Sequence, residues 1–421
     1  MAIVEPFRSV QYNGDCAGML DRLITPPYDV ISPEEQEAFY QAGNNKYTRV
    51  AATLRSWLND GVLVRSQRES FTVYQMEFRR PDGARRTIDG IVALVKVESY
   101  GRGRVLPHEK TYRGPKEDQL NLLRSCHAHL TPIHALFNDK EHHVSKEYSR
   151  VMEKSPDQEA EDSEEIVHRT WQLQDEEAIS NIRRVLSEKS LFIADGHHRY
   201  ETSLAYRDEM RASQAQDAGA GPEYVMMYLT SMSHPGLTIL PAHRMVKGLP
   251  EINAARILEK LDPYFDIEAV SLGAEDVHAA ARTLVTRVSS FSEELGKFGM
   301  VFGQEDRFWL LKLKSIDAVD ALINAATPAP LREMDVTILR YAIMGHGLGL
   351  DRDRPEGHIE YTPSADEVLE KARTGKIQVA FIHNPTRVEQ VQAAAELGHK
   401  LPHKSTYFYP KIASGLVLNV F

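Results

Sequence analysis

The segment Leu191–Tyr200 constrains the fold of this chain more than any other. It begins with four apolar residues, a run typical of a short buried strand. The apolar run stops at Asp195-Gly196, which is a turn signal, and a helical pattern begins at Tyr200. The segment therefore predicts a strand, a tight turn and a helix, with two histidines and an arginine at the junction.

These polar residues are the types that bind anions. Backbone N–H groups at a helix N-terminus carry partial positive charge and attract anions. Arg199 adds a guanidinium that can hold a phosphate through two parallel hydrogen bonds, and His197 and His198 can donate hydrogen bonds or transfer protons near neutral pH. An ordinary capped turn would explain Asp195 or Arg199 alone, but not two adjacent histidines beside both. We therefore predict an anion site around the turn at Gly196.

Composition and charge exclude several classes of protein. Hydrophobic residues make up 42% of the chain and charged residues 26%, as in ordinary globular proteins. The net charge of −10 argues against nonspecific nucleic-acid binding. Cys16 and Cys126 are the only cysteines, which gives no disulfide framework. Because the sequence shows neither a signal peptide nor a long apolar window, we expect a cytoplasmic protein with no membrane partner. The oligomeric state stays open.

The length of 421 residues predicts more than one domain. Strand-like and helix-like patterns mix along the chain without repeats, which predicts an α+β fold. We expect an N-terminal α+β region (1–249), an α/β subdomain or insertion (250–330) and a C-terminal region that returns to the site (331–421). The acidic segment 153–165 is expected to be a surface loop or insertion, and His243-Arg244 is expected to lie at a strand end.

A second polar cluster, His108-Glu109-Lys110, falls in a loop between a strand and a helix. Its first two residues resemble the start of the zinc motif H-E-x-x-H, but Tyr112 stands where the second histidine is needed, so that zinc site is rejected. A glutamate beside these partners fits a general base or part of a metal–nucleotide site. A solvated charged loop explains the same residues equally well, and both readings stay open.

A third cluster lies near the C-terminus, where Lys404-Ser405-Thr406 and Lys411 flank an aromatic run. Lysine followed by hydroxyl residues is also found in P-loops, but the glycine-rich loop that defines a P-loop is absent. Phosphate contact is one reading, and an irregular segment with core aromatics is the reading that the spacing favours. The pairs Tyr28-Asp29 and His243-Arg244 could each line a pocket, and each has a simple structural explanation.

Four ordered motifs lie in segments 26–31, 108–111, 193–200 and 404–411. Together they resemble the motifs of the family catalogued as domain of unknown function 1015, over essentially the whole chain. The motif around Asp195 is also similar to that of the free-serine kinases in the ParB/sulfiredoxin superfamily. The resemblance implies a mixed-sheet ParB/sulfiredoxin-like core with large additional α/β segments.

The resemblance implies a nucleotide-dependent kinase of a small hydroxyl metabolite, with free L-serine the favoured acceptor. ATP or ADP and Mg²⁺ are the expected cofactors. Either Glu109 or Asp195 would accept the hydroxyl proton, and the other carboxylate could help hold Mg²⁺. The implied catalytic residues are Glu109, Asp195 and His198. The implied phosphate-binding residues are Gly196, His197, Arg199, Lys404, Ser405, Thr406 and Lys411. The candidate substrate-pocket residues are Tyr28, Asp29, His108, Lys110, His243 and Arg244.

Two other classes of function are compatible with the sequence. A nucleotide-binding regulator of ParB-like type would bind nucleotide without phosphorylating a small molecule. A metal-dependent hydrolase would use Asp195, His197 and His198 as ligands, but adjacent histidines rarely chelate one metal together. The kinase is therefore the leading hypothesis.

Overall fold

The computed structural model describes the chain except residues 26–45, 102, 110, 112, 214–220, 272–275, 290–295, 351–357 and 403. Within the described residues, contacts divide the chain into two compact units. Unit 1 comprises residues 1–107, 111–238 and 410–421, and unit 2 comprises residues 108–110 and 239–409. The three regions expected from the sequence stay a prediction.

The described residues form strands and helices with the following bounds. The strands are β1 (Val4–Glu5), β2 (Val10–Tyr12), β3 (Leu63–Arg65), β4 (Phe71–Arg79), β5 (Arg85–Lys96), β6 (Val105–Leu106), β7 (Ala128–His129), β8 (Ile133–Phe137), β9 (Gln158–Glu161), β10 (Val167–Leu173), β11 (Leu191–Asp195), β12 (Tyr224–Ser231), β13 (Thr238–Leu240), β14 (His243–Val246), β15 (Phe265–Ser271), β16 (Lys297–Phe302), β17 (Arg307–Leu313), β18 (Ile359–Thr362), β19 (Val379–His383), β20 (Tyr407–Tyr409) and β21 (Asn419–Val420). The α-helices are α1 (Lys46–Asn59), α2 (Arg113–Cys126), α3 (His143–Met152), α4 (Glu176–Ser187), α5 (His197–Ala212), α6 (Ala254–Leu261), α7 (Val277–Ser289), α8 (Ile316–Asp320), α9 (Ala329–Arg332), α10 (Asp335–Ile338), α11 (Ala365–Arg373) and α12 (Val388–Glu396).

Unit 1 is built on a nine-stranded sheet in which eight strands follow the order β6-β11-β8-β12-β5-β4-β10-β9, with β1 paired to β5. β11 and β6 run parallel, as do β12 and β8, and the other described pairs of this sheet are antiparallel. The sheet is therefore mixed and the fold is α+β, as the sequence predicts. The ParB/sulfiredoxin assignment stays a prediction.

The hairpin of β4 and β5 forms where alternation and turn signals predict it. Gly83 adopts φ +82° in the connecting turn, a backbone conformation that glycine adopts without a side-chain clash. Further along β5, a Cβ on Gly90 would lie 2.3 Å from the carbonyl oxygen of Leu229 in β12. A glycine is therefore required where these two strands approach each other at the centre of the sheet.

The acidic segment 153–165 is partly a strand, so the expectation of a surface loop was wrong there. β9 pairs with β10, and Gln158 and Ala160 are buried while Glu159 and Glu161 are exposed. Alternation with period two places the two carboxylates on the solvent side of an edge strand. The high acidic content obscured this alternation in the sequence.

Unit 2 contains a six-stranded antiparallel sheet in the order β15-β17-β16-β19-β14-β18. Both of its faces are covered, because neighbouring residues of a strand enter different hydrophobic clusters. Met300 packs with Phe265 and Phe381, whereas Val301 packs with Leu284 of α7. Within the described part of the chain, no helix of either unit has both the length and the apolar character that crossing a bilayer requires.

Candidate functional site

The junction of β11 and α5 in unit 1 carries the predicted anion motif. Asp195 ends the strand, Gly196 adopts φ +92°, and α5 begins at His197. The sequence reading placed the helix start at Tyr200, three residues too late. The left-handed conformation of Gly196 turns the chain directly into the helix, so the histidines and Arg199 belong to its first turn.

The N-terminus of α5 has no side-chain cap. The first N–H groups of a helix lack intrahelical partners and attract anions. His197 is buried, whereas His198 and Arg199 are partly exposed. An oxyanion at this end of the helix can therefore meet backbone donors together with the side chain of His198.

Two cations hold the carboxylate of Asp195. Nζ of Lys411 donates to Oδ1 at 2.6 Å, and a guanidinium nitrogen of Arg199 donates to Oδ2 at 2.8 Å. Arg199 also donates to the carbonyl oxygen of Pro132. The structure thus brings Lys411, 216 residues away in sequence, to the β11–α5 junction. Because two opposite charges favour the ionised form of a carboxylate, Asp195 is better suited to positioning these cations than to accepting a proton.

His134 on β8 is paired with Asp195 on the neighbouring antiparallel strand β11. Its side chain is buried and its ring centroid lies 5.2 Å from that of Tyr228. Burial lowers the pKa of His134 to about 3, against a smaller upward effect of Asp195. The imidazole of His134, beside the charged groups of Asp195, Lys411 and Arg199, is therefore neutral near pH 7.

We expect His134 to make unit 1 sensitive to acid. Since its pKa is lowered on folding, the unfolded chain binds the extra proton below pH 6.5, and stability falls as the pH decreases towards 3. The loss should reach about 2 kcal/mol between pH 6.5 and 5. His134→Leu should remove that part of the loss in urea unfolding at the two pH values, whereas the exposed His143→Leu should not. Equal acid sensitivity of wild type and His134→Leu would contradict the assignment.

A second polar cluster lies in unit 2, where His108 and Glu109 contact Lys404 and Thr406. Oε1 of Glu109 accepts a hydrogen bond from the backbone N–H of Lys404 at 3.2 Å, 295 residues away in sequence. Nε2 of His108 lies 3.1 Å from Oγ1 of Thr406. Two of the sequence motifs are therefore in contact, and Glu109 is partly exposed while His108 is fully buried.

The segment around Ser405 makes hydrogen bonds within unit 2. The hydroxyl of Ser405 donates to the carbonyl oxygen of Pro402 at 2.6 Å, and its carbonyl accepts from Thr386 at 2.7 Å. Lys404 adopts φ +55°, an uncommon conformation for a lysine. Ser405 and Thr406 are buried, so only Lys404 of this trio has a partly exposed side chain.

The remaining predicted site residues fall outside these two clusters or outside the described residues. Tyr28, Asp29 and Lys110 lie outside the described residues. His243 and Arg244 begin β14 rather than ending a strand, because Pro241 and Ala242 separate them from β13. Both are buried in unit 2, and their place in a substrate pocket stays a prediction.

The described residues contain no group of three His, Cys, Asp or Glu side chains placed to hold a metal ion. At the β11–α5 junction both oxygens of Asp195 are already engaged by Lys411 and Arg199. The positive charges of Lys411 and Arg199 beside this carboxylate oppose the approach of a divalent cation. We therefore assign no Mg²⁺ ligand to this cluster.

Sequence reasoning missed two members of the unit 1 cluster, His134 and the carbonyl of Pro132. His134 belongs to an apolar run that predicts a strand but not its neighbour in the sheet. The spacing of His134 from the other histidines fits no common metal-site or catalytic motif, so sequence reasoning predicts only a surface or core position for it. Only the register of β8 against β11 reveals its place.

Comparison with solved structures finds distant likenesses. A mutant free serine kinase in complex with AMP is 11% identical, with 74% of this chain and 88% of that chain covered and a TM-score of 0.35. A conserved hypothetical protein from Pyrococcus furiosus is 11% identical, with coverage of 73% and 90% and a TM-score of 0.34. SbnI with a C-terminal truncation from Staphylococcus aureus is 9% identical, with coverage of 78% and 82% and a TM-score of 0.33.

Sequence comparison identifies the family. No curated protein gives a significant match. The model of the family described as "Protein of unknown function (DUF1015)" matches residues 4–337, which is most of the chain. The chain therefore belongs to the DUF1015 family.

Proposed function

We propose that this protein is a nucleotide-dependent kinase that phosphorylates a small hydroxyl metabolite, with free L-serine the favoured acceptor. The observation that carries the proposal is the β11–α5 junction in unit 1. There an uncapped helix N-terminus, His198, Arg199 and Lys411 occur together. Backbone N–H groups and fixed cations are the groups that hold and neutralise a transferring phosphoryl group.

Each residue of the junction has a proposed role. The backbone N–H groups after Gly196, together with Arg199 and Lys411, bind phosphate oxygens. His198 donates a hydrogen bond to the transferring or bridging oxygen. Asp195 fixes the two cations before the nucleotide arrives, which lowers the reorganisation that the reaction requires. His197 is buried, and its proposed contribution is its backbone N–H.

The proton acceptor that we propose is Glu109, on the basis of the motif resemblance. Its carboxylate is partly exposed, and its Oε1 is oriented by the backbone N–H of Lys404. Lys404, Ser405 and Thr406 keep their proposed part in phosphate binding, with Lys404 the member whose side chain is partly exposed. Asp195 was the other candidate base, and its two ion pairs make it the weaker one.

The proposed transfer is a single displacement. The hydroxyl oxygen of the acceptor attacks the terminal phosphorus of the nucleotide, and a new phosphorus–oxygen bond forms. The bond from that phosphorus to the bridging oxygen breaks, and a nucleotide shortened by one phosphate leaves. The hydroxyl proton passes to Glu109. Positioning and charge neutralisation account for most of the catalysis in such a step.

Phosphorus NMR tests this function directly. The purified protein is incubated with ATP, ADP or CTP, with Mg²⁺ and with a panel of amino acids and sugars, and we expect a new phosphomonoester with L-serine. His198→Ala should lower the rate at least about 100-fold, because the first helical turn loses a side-chain donor to the transferring group. Its melting temperature should stay close to wild type, since His198 is partly exposed.

Other outcomes separate the alternatives. Nucleotide binding with no phosphorylated product from any acceptor would favour a ParB-like regulator instead. Absence of both product and nucleotide-induced thermal stabilisation would exclude the kinase. A product formed equally well by wild type and His198→Ala would remove His198 from the mechanism.

A further inference from the structure

A cavity of about 280 Å³ lies within unit 1, bounded by helices α1, α2 and α5 and by the sheet. Its walls are mostly apolar and include Leu122 and Leu123 of α2 together with Leu130, Ile133 and Val225. Its volume is near the lower end of the roughly 300–1,000 Å³ that small-molecule pockets occupy. One of its lining residues, Arg199, also has a role in the phosphate chemistry proposed above.

Arg199 lines the cavity and also holds Asp195. Its guanidinium donates to the carbonyl oxygen of Pro132, and the residues on either side of Pro132, Thr131 and Ile133, line the cavity as well. The cavity therefore adjoins the cluster of Asp195, Arg199 and Lys411. A ligand that fills both must have an apolar body and an anionic end.

Hydrogen-bonding groups are placed at one side of the apolar cavity. Asp118 accepts from the hydroxyl of Tyr47 at 2.5 Å and pairs with Lys46 at 2.5 Å. Burial, together with this hydrogen bond, raises the pKa of Tyr47 to about 12, so the phenol stays protonated. The amide of Gln119, which also lines the cavity, offers a donor and an acceptor on one planar group.

We propose that this cavity binds the nucleoside part of the nucleotide whose phosphates bind at the β11–α5 junction. The inference rests on the proposed function and adds a second binding region to it. A nucleobase is flat and largely apolar on its faces, and its edge carries donors and acceptors. Leucine and valine side chains can cover the faces, while Gln119, Tyr47 and Asp118 match the edge. Arg199 then marks the boundary between nucleoside and phosphates.

The test uses a substitution that fills the cavity and leaves Asp195, Arg199 and Lys411 unchanged. Val50 of α1 lines the cavity and is 38% exposed, so Val50→Trp can place an indole in it at little cost to folding. Val64 of β3 is 43% exposed and does not line the cavity, so Val64→Trp is the matched control. Isothermal titration with ADP, adenosine and inorganic pyrophosphate, and with the guanosine and cytidine counterparts, separates the two binding regions.

We expect Val50→Trp to abolish nucleoside binding and to weaken nucleoside diphosphate binding at least about 10-fold, with pyrophosphate binding unchanged. Val64→Trp should bind all three ligands as wild type does. If Val50→Trp lowers the melting temperature, Gln119→Leu provides the second variant, with the same expected order of effects on a smaller scale.

The two proposals fail in different ways. Wild-type binding of nucleoside diphosphate and pyrophosphate that neither cavity variant changes would overturn the cavity assignment and leave the phosphate site standing. Nucleoside binding that Val50→Trp abolishes, without any binding of pyrophosphate or nucleotide, would support the cavity and reject the kinase. Equal weakening of pyrophosphate and nucleotide by Val50→Trp would also overturn the inference, because the effect would then not be confined to the nucleoside.

Discussion

Lys411→Met should lower the rate of phosphoryl transfer by about 10²–10³-fold, the loss that follows removal of one preorganised electrostatic donor. The substitution removes the ammonium that lies 2.6 Å from Oδ1 of Asp195 and keeps an unbranched side chain of similar length. Asp195 retains its ion pair with Arg199. The loss of stability should therefore be modest, about 1–2 kcal/mol. Coupled assays of nucleotide turnover and thermal melts measure the two effects separately.

A second lysine provides the control for this prediction. Lys247 forms an ion pair with Glu360, and its side chain is 52% exposed. Lys247→Met also removes a lysine that is paired to a carboxylate, but it should leave turnover unchanged. An active Lys411→Met variant, or a loss of activity that follows the fraction of unfolded protein, would show that Lys411 only stabilises the chain.

Much of the fold could be predicted because its signals are local. The strands Phe71–Arg79 and Arg85–Lys96 follow alternating sequence and a glycine turn. Asp175 caps α4 through the N–H of Ala178, and aspartate is among the residues favoured at that position. The order of the strands in the sheet could not be predicted in this way. Pairing of β8 with β11 and β12 depends on side-chain packing between distant segments, for which periodicity carries no information.

In the candidate site, too, local features could be predicted from the sequence and contacts between distant segments could not. The segment Leu191–Arg199 could be identified from sequence because strand, turn and helix signals occur within ten residues of each other. The contacts of Lys411 with Asp195, and of Lys404 with Glu109, span 216 and 295 residues. Resemblance of four ordered motifs suggested that such partners exist, but only the fold shows which atoms meet. His134 had no sequence signal at all, because its role depends on strand register.

Gly196→Val should abolish activity, with at least a 100-fold loss, while the chain stays folded. Gly196 adopts φ +92°, and a Cβ built on it would lie 3.0 Å from Cζ of Arg199. The valine would therefore strain the turn and push the guanidinium away from Asp195 and Pro132. Displacement of a positioning group by about 1 Å can cost 10²-fold in rate. Turnover and nucleotide affinity of the purified variant measure this effect.

A variant at Gly83 is the control that distinguishes the effect of backbone strain from the effect of displacing Arg199. It adopts φ +82° in the β4–β5 turn, and a Cβ there would meet no atom within 4 Å. Gly83→Val should therefore cost a similar amount of stability, about 1–2 kcal/mol for a branched residue in the left-handed region, without a loss of activity. Comparable activity of the two variants at equal folded fractions would contradict a phosphate site at the β11–α5 junction. Loss confined to Gly196→Val would tie activity to the position of Arg199, because strain alone is common to both variants.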